Sequence, residues 1–90
     1  MSSDTFLNPF DPNRAPTRFK LLNHLLKHRD GADVYEIQEV LYGHIRHLDK
    51  REAMQCLSPM VSKTNKALLE AGHLASIVKG TREYSYMISI

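Results

Sequence analysis

The chain has 90 residues, an ordinary apolar content of 42%, a formal net charge of +2 at pH 7 and one cysteine, Cys56. This length allows a single domain with a modest core, and the apolar content excludes a wholly disordered protein. The apolar runs are too short to span a membrane, and nothing in residues 1–12 resembles a secretory signal. Since the lone thiol has no internal disulfide partner, we expect a cytoplasmic protein without membrane contacts.

Residues 1–15 show no helical or strand periodicity and contain two Asn-Pro or Asp-Pro pairs, which form turns and break helices. We interpret this segment as an extended arm preceding a domain at residues 16–90. The apolar side chains Phe6, Leu7 and Phe10 can anchor the arm to the domain or to a second copy of the chain. A loosely ordered tail is the alternative.

Two helices are predicted in the first half of the domain. The first begins at Pro16, a residue favoured in the first helical turn, and ends before Gly31. The second begins after Asp33, which offers an N-cap with Glu36 three residues on, and ends at Gly43.

A third and a fourth helix are predicted between residues 49 and 71. Asp49 repeats the capping pattern and starts a short helix that ends near Leu57. Ser58 then caps a new helix with Pro59 at its first position, and this helix runs to about Ala71.

The C-terminal residues have the pattern of a β-hairpin. Two β-like runs, Leu74–Lys79 and Arg82–Ser89, flank Gly80-Thr81, which predicts a tight turn between them. The predicted fold class is therefore α+β, with about four helices followed by a C-terminal hairpin.

The fourth helix and the hairpin carry the residue types that contact duplex DNA. On a helical wheel, Ser62, Lys63 and Lys66 lie opposite the apolar face, with Asn65 at the flank. Lysines meet phosphates or guanine edges, and Ser and Asn hydrogen-bond to phosphates or bases. A solvated polar face is the alternative, and the cationic hairpin tip at 79–82 favours the DNA interpretation.

The last third of the chain resembles the recognition helix and wing of bacterial winged-helix repressors of the MarR and ArsR families. The helix part of the resemblance rests on Ser58, Val61-Ser62, Leu69 and Gly72, and the wing part rests on Gly80-Thr-Arg-Glu-Tyr. Leu41-Tyr42-Gly43 is similar to the end of the second helix in OmpR-type winged helices. Residues 44–57 are longer than the short turn of those families, so we expect an extra helix there.

The resemblance implies a helix-turn-helix with the helix at 59–71 in the major groove and the tip at 79–82 as a wing. With Asn65 from the wheel, the predicted DNA contacts are Ser58, Met60, Ser62, Lys63, Asn65, Lys66, Lys79, Thr81 and Arg82. The function expected is that of a small, sequence-specific transcriptional regulator, a repressor by its resemblance. A homodimer is expected because two-fold symmetry doubles the short site that one helix reads.

A protein-interaction module or adaptor with the same fold is the rival hypothesis, since a net charge of +2 does not require nucleic acid. Recognition of single strands by Tyr84 and Tyr86 is a weaker alternative. No catalytic motif, cofactor loop or compact metal-ligand spacing is evident, so neither an enzyme nor a cofactor is predicted. His44, His47, Cys56 and His73 were the residues considered for zinc and discounted.

Overall fold

The computed structural model describes residues 7–45 and 49–90, which form a small α+β domain with helices packed on an antiparallel sheet. The elements, in chain order, are α1 (Pro16–Lys27), β1 (Ala32–Asp33), α2 (Val34–Tyr42), α3 (Lys50–Glu70), β2 (Ser76–Lys79) and β3 (Ser85–Ser89). This order of elements is compatible with a winged-helix-like arrangement.

The predicted boundaries of α1 and α2 are confirmed. Pro16 occupies the first turn of α1. The Asp33 carboxylate accepts a hydrogen bond from the Tyr35 backbone N–H at 3.0 Å and so caps α2. Gly43 ends α2 with a φ of 77°, a left-handed conformation that glycine adopts without a steric penalty.

The prediction of separate third and fourth helices is wrong, because α3 is one helix of 21 residues that passes through Ser58 and Pro59. Ser58 is therefore not an N-cap, and the helix begins at the cap Asp49, whose carboxylate accepts from the Glu52 N–H at 2.8 Å. A single buried stripe runs across the proline and comprises Ala53, Leu57, Val61, Thr64 and Leu68. Burial of this continuous stripe offsets the helical hydrogen bond that Pro59 cannot donate.

The sheet contains a strand that the sequence did not predict. Strand β1 has only two residues, too few to show periodicity, and it pairs with β3 through Ala32 opposite Tyr86. The sheet order is β1-β3-β2, with β3 in the centre and all pairs antiparallel.

The prediction of a tight turn at Gly80-Thr81 is also wrong, because residues 80–84 form a longer hairpin loop. The ladder between β2 and β3 ends at Lys79 opposite Tyr86, while Ser85 pairs with Asp33 of β1. Inside the loop, the Ser85 hydroxyl donates to the Arg82 carbonyl at 2.7 Å. A side chain on Gly80 would collide with the Ser85 hydroxyl, so this position requires glycine.

The core lies between the helices and the sheet. Helix α1 contacts α2 and β3, and α3 contacts α2 and β2. The described part of the predicted arm packs back against the domain. The Asn8 amide donates to the Phe19 carbonyl of α1 at 2.9 Å, and Phe10 packs against the core. Leu7 is exposed, and Phe6 lies outside the described residues.

None of the helices within residues 7–45 and 49–90 combines the length and the apolar character needed to cross a bilayer.

The substitution Pro59→Ala tests the continuity of α3. Because Pro59 lies in the helix interior, alanine should raise the free energy of unfolding by about 1–3 kcal/mol, measured by urea denaturation. Ser58→Ala should change it by less than about 0.5 kcal/mol, whereas loss of an N-cap costs about 1 kcal/mol. A destabilised Pro59→Ala protein together with a destabilised Ser58→Ala protein would mean that a helix begins at Ser58.

Candidate nucleic-acid interface

The first half of α3 and the hairpin loop border a shallow groove whose lining is more apolar than polar. One groove section, of about 290 Å³, is lined by residues of α3, the end of β2 and β3: Arg51, Met54, Gln55, Ser58, Lys79, Tyr84 and Tyr86. A neighbouring section of about 420 Å³ is formed by Met54 and residues 79–85. The hairpin loop therefore lies on the same side of the domain as the exposed face of α3.

The exposed face of α3 beside the loop is a single stripe. Arg51, Gln55, Ser58 and Ser62 are spaced by four, three and four residues, which places them along one side of a helix with 3.6 residues per turn. All four side chains are exposed. We refer to these four residues as the polar stripe.

The position of the hairpin depends on the Asn65 side chain. Its amide nitrogen donates to the Ile77 carbonyl at 2.9 Å, and its amide oxygen accepts from the Ile77 N–H at 2.7 Å. These two bonds satisfy both backbone groups of one β2 residue and hold β2 alongside α3. We refer to this pair of bonds as the Asn65 clamp.

A second attachment fixes the start of α3. The Lys50 ammonium lies 2.9 Å from an Asp33 carboxylate oxygen and 5.6 Å from the centre of the Tyr35 ring. Asp33 also caps α2 and pairs with Ser85 at the end of the hairpin loop. Asp33 thus joins α2, α3 and the sheet.

Several predicted contact residues are exposed where a ligand can reach them. Ser58 and Ser62 belong to the polar stripe, and Lys66 is exposed beyond it toward the end of α3. Lys63 is also exposed, but at about 100° per residue it lies roughly a third of a turn away from the stripe. Lys63 therefore faces away from the hairpin loop.

Two predicted contacts on α3 have structural roles instead. Asn65 was predicted as a flanking contact, but both ends of its amide bind Ile77. Met60 is half-buried against the core, and its carbonyl accepts the Thr64 hydroxyl at 2.7 Å. The prediction of Met60 as a contact rested on the family resemblance.

The predicted wing residues all lie at the hairpin loop. Lys79 lines the groove, and Thr81 is exposed at the tip. The Arg82 guanidinium donates to the Gly31 carbonyl at 3.2 Å, so this side chain leans toward the turn after α1. Of the three, Lys79 faces the polar stripe most directly.

Arg51 and Gln55 are the site residues that the sequence analysis missed. They were assigned to a separate short helix, so their alignment with Ser58 and Ser62 was not considered. The spacing of four, three and four residues was the signal, and it is meaningful only if the helix continues through Pro59.

The groove carries basic side chains at its edges and an uncharged, mostly apolar lining between them. Arg51 and Lys79 line it from opposite sides. Burial raises the pKa of the Tyr86 hydroxyl above its ordinary value, so this phenol stays uncharged near neutral pH. Glu83 is the acidic residue that lines the neighbouring section at the loop. The lining thus combines three basic residues, Arg51, Lys79 and Arg82, and the acidic Glu83 with hydroxyl, amide and apolar groups.

Comparison of the chain with known proteins gives no match to a family model, a curated protein or a solved structure. The resemblance to winged-helix repressors therefore remains a prediction from the residues quoted above.

Replacing Asn65 with alanine should destabilise the domain by about 2–3 kcal/mol, because two hydrogen bonds are lost and the Ile77 backbone groups lose their partners. The measurement is urea denaturation combined with amide hydrogen exchange, in which the Ile77 amide should exchange faster than in the parent. Ser62→Ala on the same helix is the matched control and should change stability by less than about 0.5 kcal/mol. Unchanged stability and Ile77 exchange in Asn65→Ala would show that the clamp does not hold the hairpin.

Proposed function

We propose that this protein binds double-stranded DNA as a small winged-helix regulator, with the polar stripe of α3 in the major groove and the hairpin loop as the wing. The observation that carries the proposal is the groove that Arg51, Gln55 and Ser58 line together with Lys79. The proposal moves the reading surface from the predicted helix at 59–71 toward the first half of α3.

The residue types of the polar stripe suit the edges of base pairs. Arginine donates two hydrogen bonds to guanine, glutamine pairs with adenine in the same bidentate manner, and serine accepts or donates at either base. An α-helix fits the width of the major groove. Arg51, Gln55 and Ser58 are therefore proposed as the residues that select sequence.

The lysines around the stripe suit the phosphate backbone. Lys79 lies on the hairpin beside the stripe, and Lys66 is exposed on α3 one turn beyond the end of the stripe. Phosphate contacts fix the orientation of a protein on DNA without reading sequence. These contacts are proposed to supply most of the affinity, which will then fall steeply with salt.

A homodimer on a two-fold symmetric site is part of the proposal. One helix and one wing read only a few base pairs, and pairing of two copies doubles the contact. Leu69 and Leu74, at and just after the end of α3, expose 75% and 95% of their surface. Exposed leucines of this kind are suited to contact with a protein, either a second copy or a different partner.

The same two leucines support the second candidate function, a protein-interaction module. In that case the exposed leucines bind a partner protein, and the polar stripe is a solvated face. Binding to DNA distinguishes the two candidates.

Charge reversal tests the DNA proposal. The double variant Arg51→Glu with Lys79→Glu should weaken binding to a duplex by at least about 100-fold, because two attractive contacts become repulsive. The measurement is the binding affinity from fluorescence anisotropy over a range of salt concentrations. The protein is titrated first into a pool of randomised duplexes and then into the tightest-binding duplex selected from that pool.

The matched control is Lys20→Glu with Lys27→Glu, which makes the same change in net charge at exposed positions of α1. This control should retain most of the affinity, and both variants should unfold at the temperature of the parent within a few degrees. Equal loss in the two variants would indicate attraction by net charge alone. A parent protein that binds no duplex even at low salt would favour the protein-interaction module.

A further inference from the structure

A compact cluster of metal-ligating side chains joins α1 to α2. His24 and His28 come from α1 and Glu36 comes from α2, and one ligand atom from each side chain lies within 4.8 Å of the other two. None of the three residues lines the groove between α3 and the hairpin loop. The cluster is therefore a separate feature of the domain.

The local structure brings these three side chains together for simple reasons. His24 and His28 are four residues apart, so they lie one turn above each other on the same face of α1. Their ring centres are 4.5 Å apart. Glu36 is the third residue of α2 after the cap at Asp33, and its Oε2 lies 2.6 Å from His24 Nε2.

Two imidazoles and one carboxylate form a ligand set that zinc prefers. Protein sites with three such ligands keep a fourth position for water, and tetrahedral zinc places its ligand atoms about 3.3 Å apart. The cluster reaches this spacing through small rotations of His28 and Glu36, whose side chains are exposed. The metal would then take the place of the proton shared by His24 and Glu36.

We propose that His24, His28 and Glu36 bind one Zn²⁺ ion, with water as the fourth ligand. The ion would connect the C-terminal half of α1 to the first turn of α2, two elements that pack together and are joined by the His24–Glu36 contact. The sequence analysis predicted no metal and considered different histidines, because these three ligands come from segments that only the fold brings together. The site does not depend on the proposed DNA binding, and either proposal can fail alone.

The test uses the full chain without an affinity tag, titrated with zinc chloride in a buffer that does not chelate metal. Isothermal titration calorimetry should give one ion per chain. Zinc at about 100 times its Kd should raise the Tm by about 10 °C or more, and EDTA should reverse the shift.

Two single variants and one control assign the ligands. His28→Ala and Glu36→Gln should each weaken zinc binding by at least about 10-fold. His44→Ala removes an exposed histidine outside the cluster and should leave the zinc affinity unchanged. Circular dichroism without zinc should show that all three variants are folded. With Co²⁺ in place of zinc, the parent should give the visible spectrum of a tetrahedral site, and Glu36→Gln should lose that spectrum.

The proposal is overturned by any of three results. The first is a parent protein that shows no saturable zinc binding. The second is a stoichiometry of one ion per two chains. The third is cluster variants that bind zinc as tightly as the parent does. Each of these results shows that the three side chains do not form the site.

Discussion

The Asn65 clamp determines where the functional surface of this domain lies. A side-chain amide carries a donor and an acceptor side by side, so it can donate to the carbonyl and accept from the N–H of the same extended residue. By binding Ile77 in this way, Asn65 fixes β2 along α3, and β2 fixes the hairpin loop beside the first half of the helix. A helix and a loop that moved independently could not present Arg51 and Lys79 to one ligand.

The continuity of α3 is the second constraint, and it changes which residues share a face. A helix that started at Ser58 would present Lys63 and Lys66 together with a free N-terminus for phosphate. The continuous helix instead aligns Arg51 and Gln55 with Ser58 and Ser62, and its N-terminus lies at Asp49. The long buried stripe from Ala53 to Leu68 tolerates the interior proline, because side-chain packing contributes more to helix stability than one backbone bond.

Local signals in the sequence were sufficient for several elements. The caps Asp33 and Asp49, the starting proline Pro16 and the terminating glycine Gly43 act through bonds and dihedral angles within a few residues. Because both partners of such an interaction lie within a few residues of each other in the chain, the sequence predicted these helix ends correctly. The α+β class followed from these helices and from the alternating pattern of β3.

Long-range interactions account for what the sequence did not predict. The two residues of β1 form a strand only because β3 lies beside them. The hairpin loop is longer than its glycine suggested, because it closes through a hydrogen bond from the Gly80 N–H to the Ser85 carbonyl, which leaves residues 81–84 between the two bonded groups. Gln38 gave no sign that it would be buried among apolar residues of α2. The polar stripe and the histidine–glutamate cluster both require knowledge of which segments meet, and periodicity within one segment cannot supply it.

The groove between α3 and the hairpin is the proposed DNA-binding site, and the cluster between α1 and α2 is the proposed zinc site. The most direct test of the central claim is a titration of the ¹⁵N-labelled protein with duplex DNA, followed by amide chemical shifts in two-dimensional NMR spectra. The account predicts that the largest shifts fall on residues 51–62 and 79–84, while residues 16–28 of α1 change little. Shifts that centre on α1, or a spectrum that DNA leaves unchanged, would contradict it.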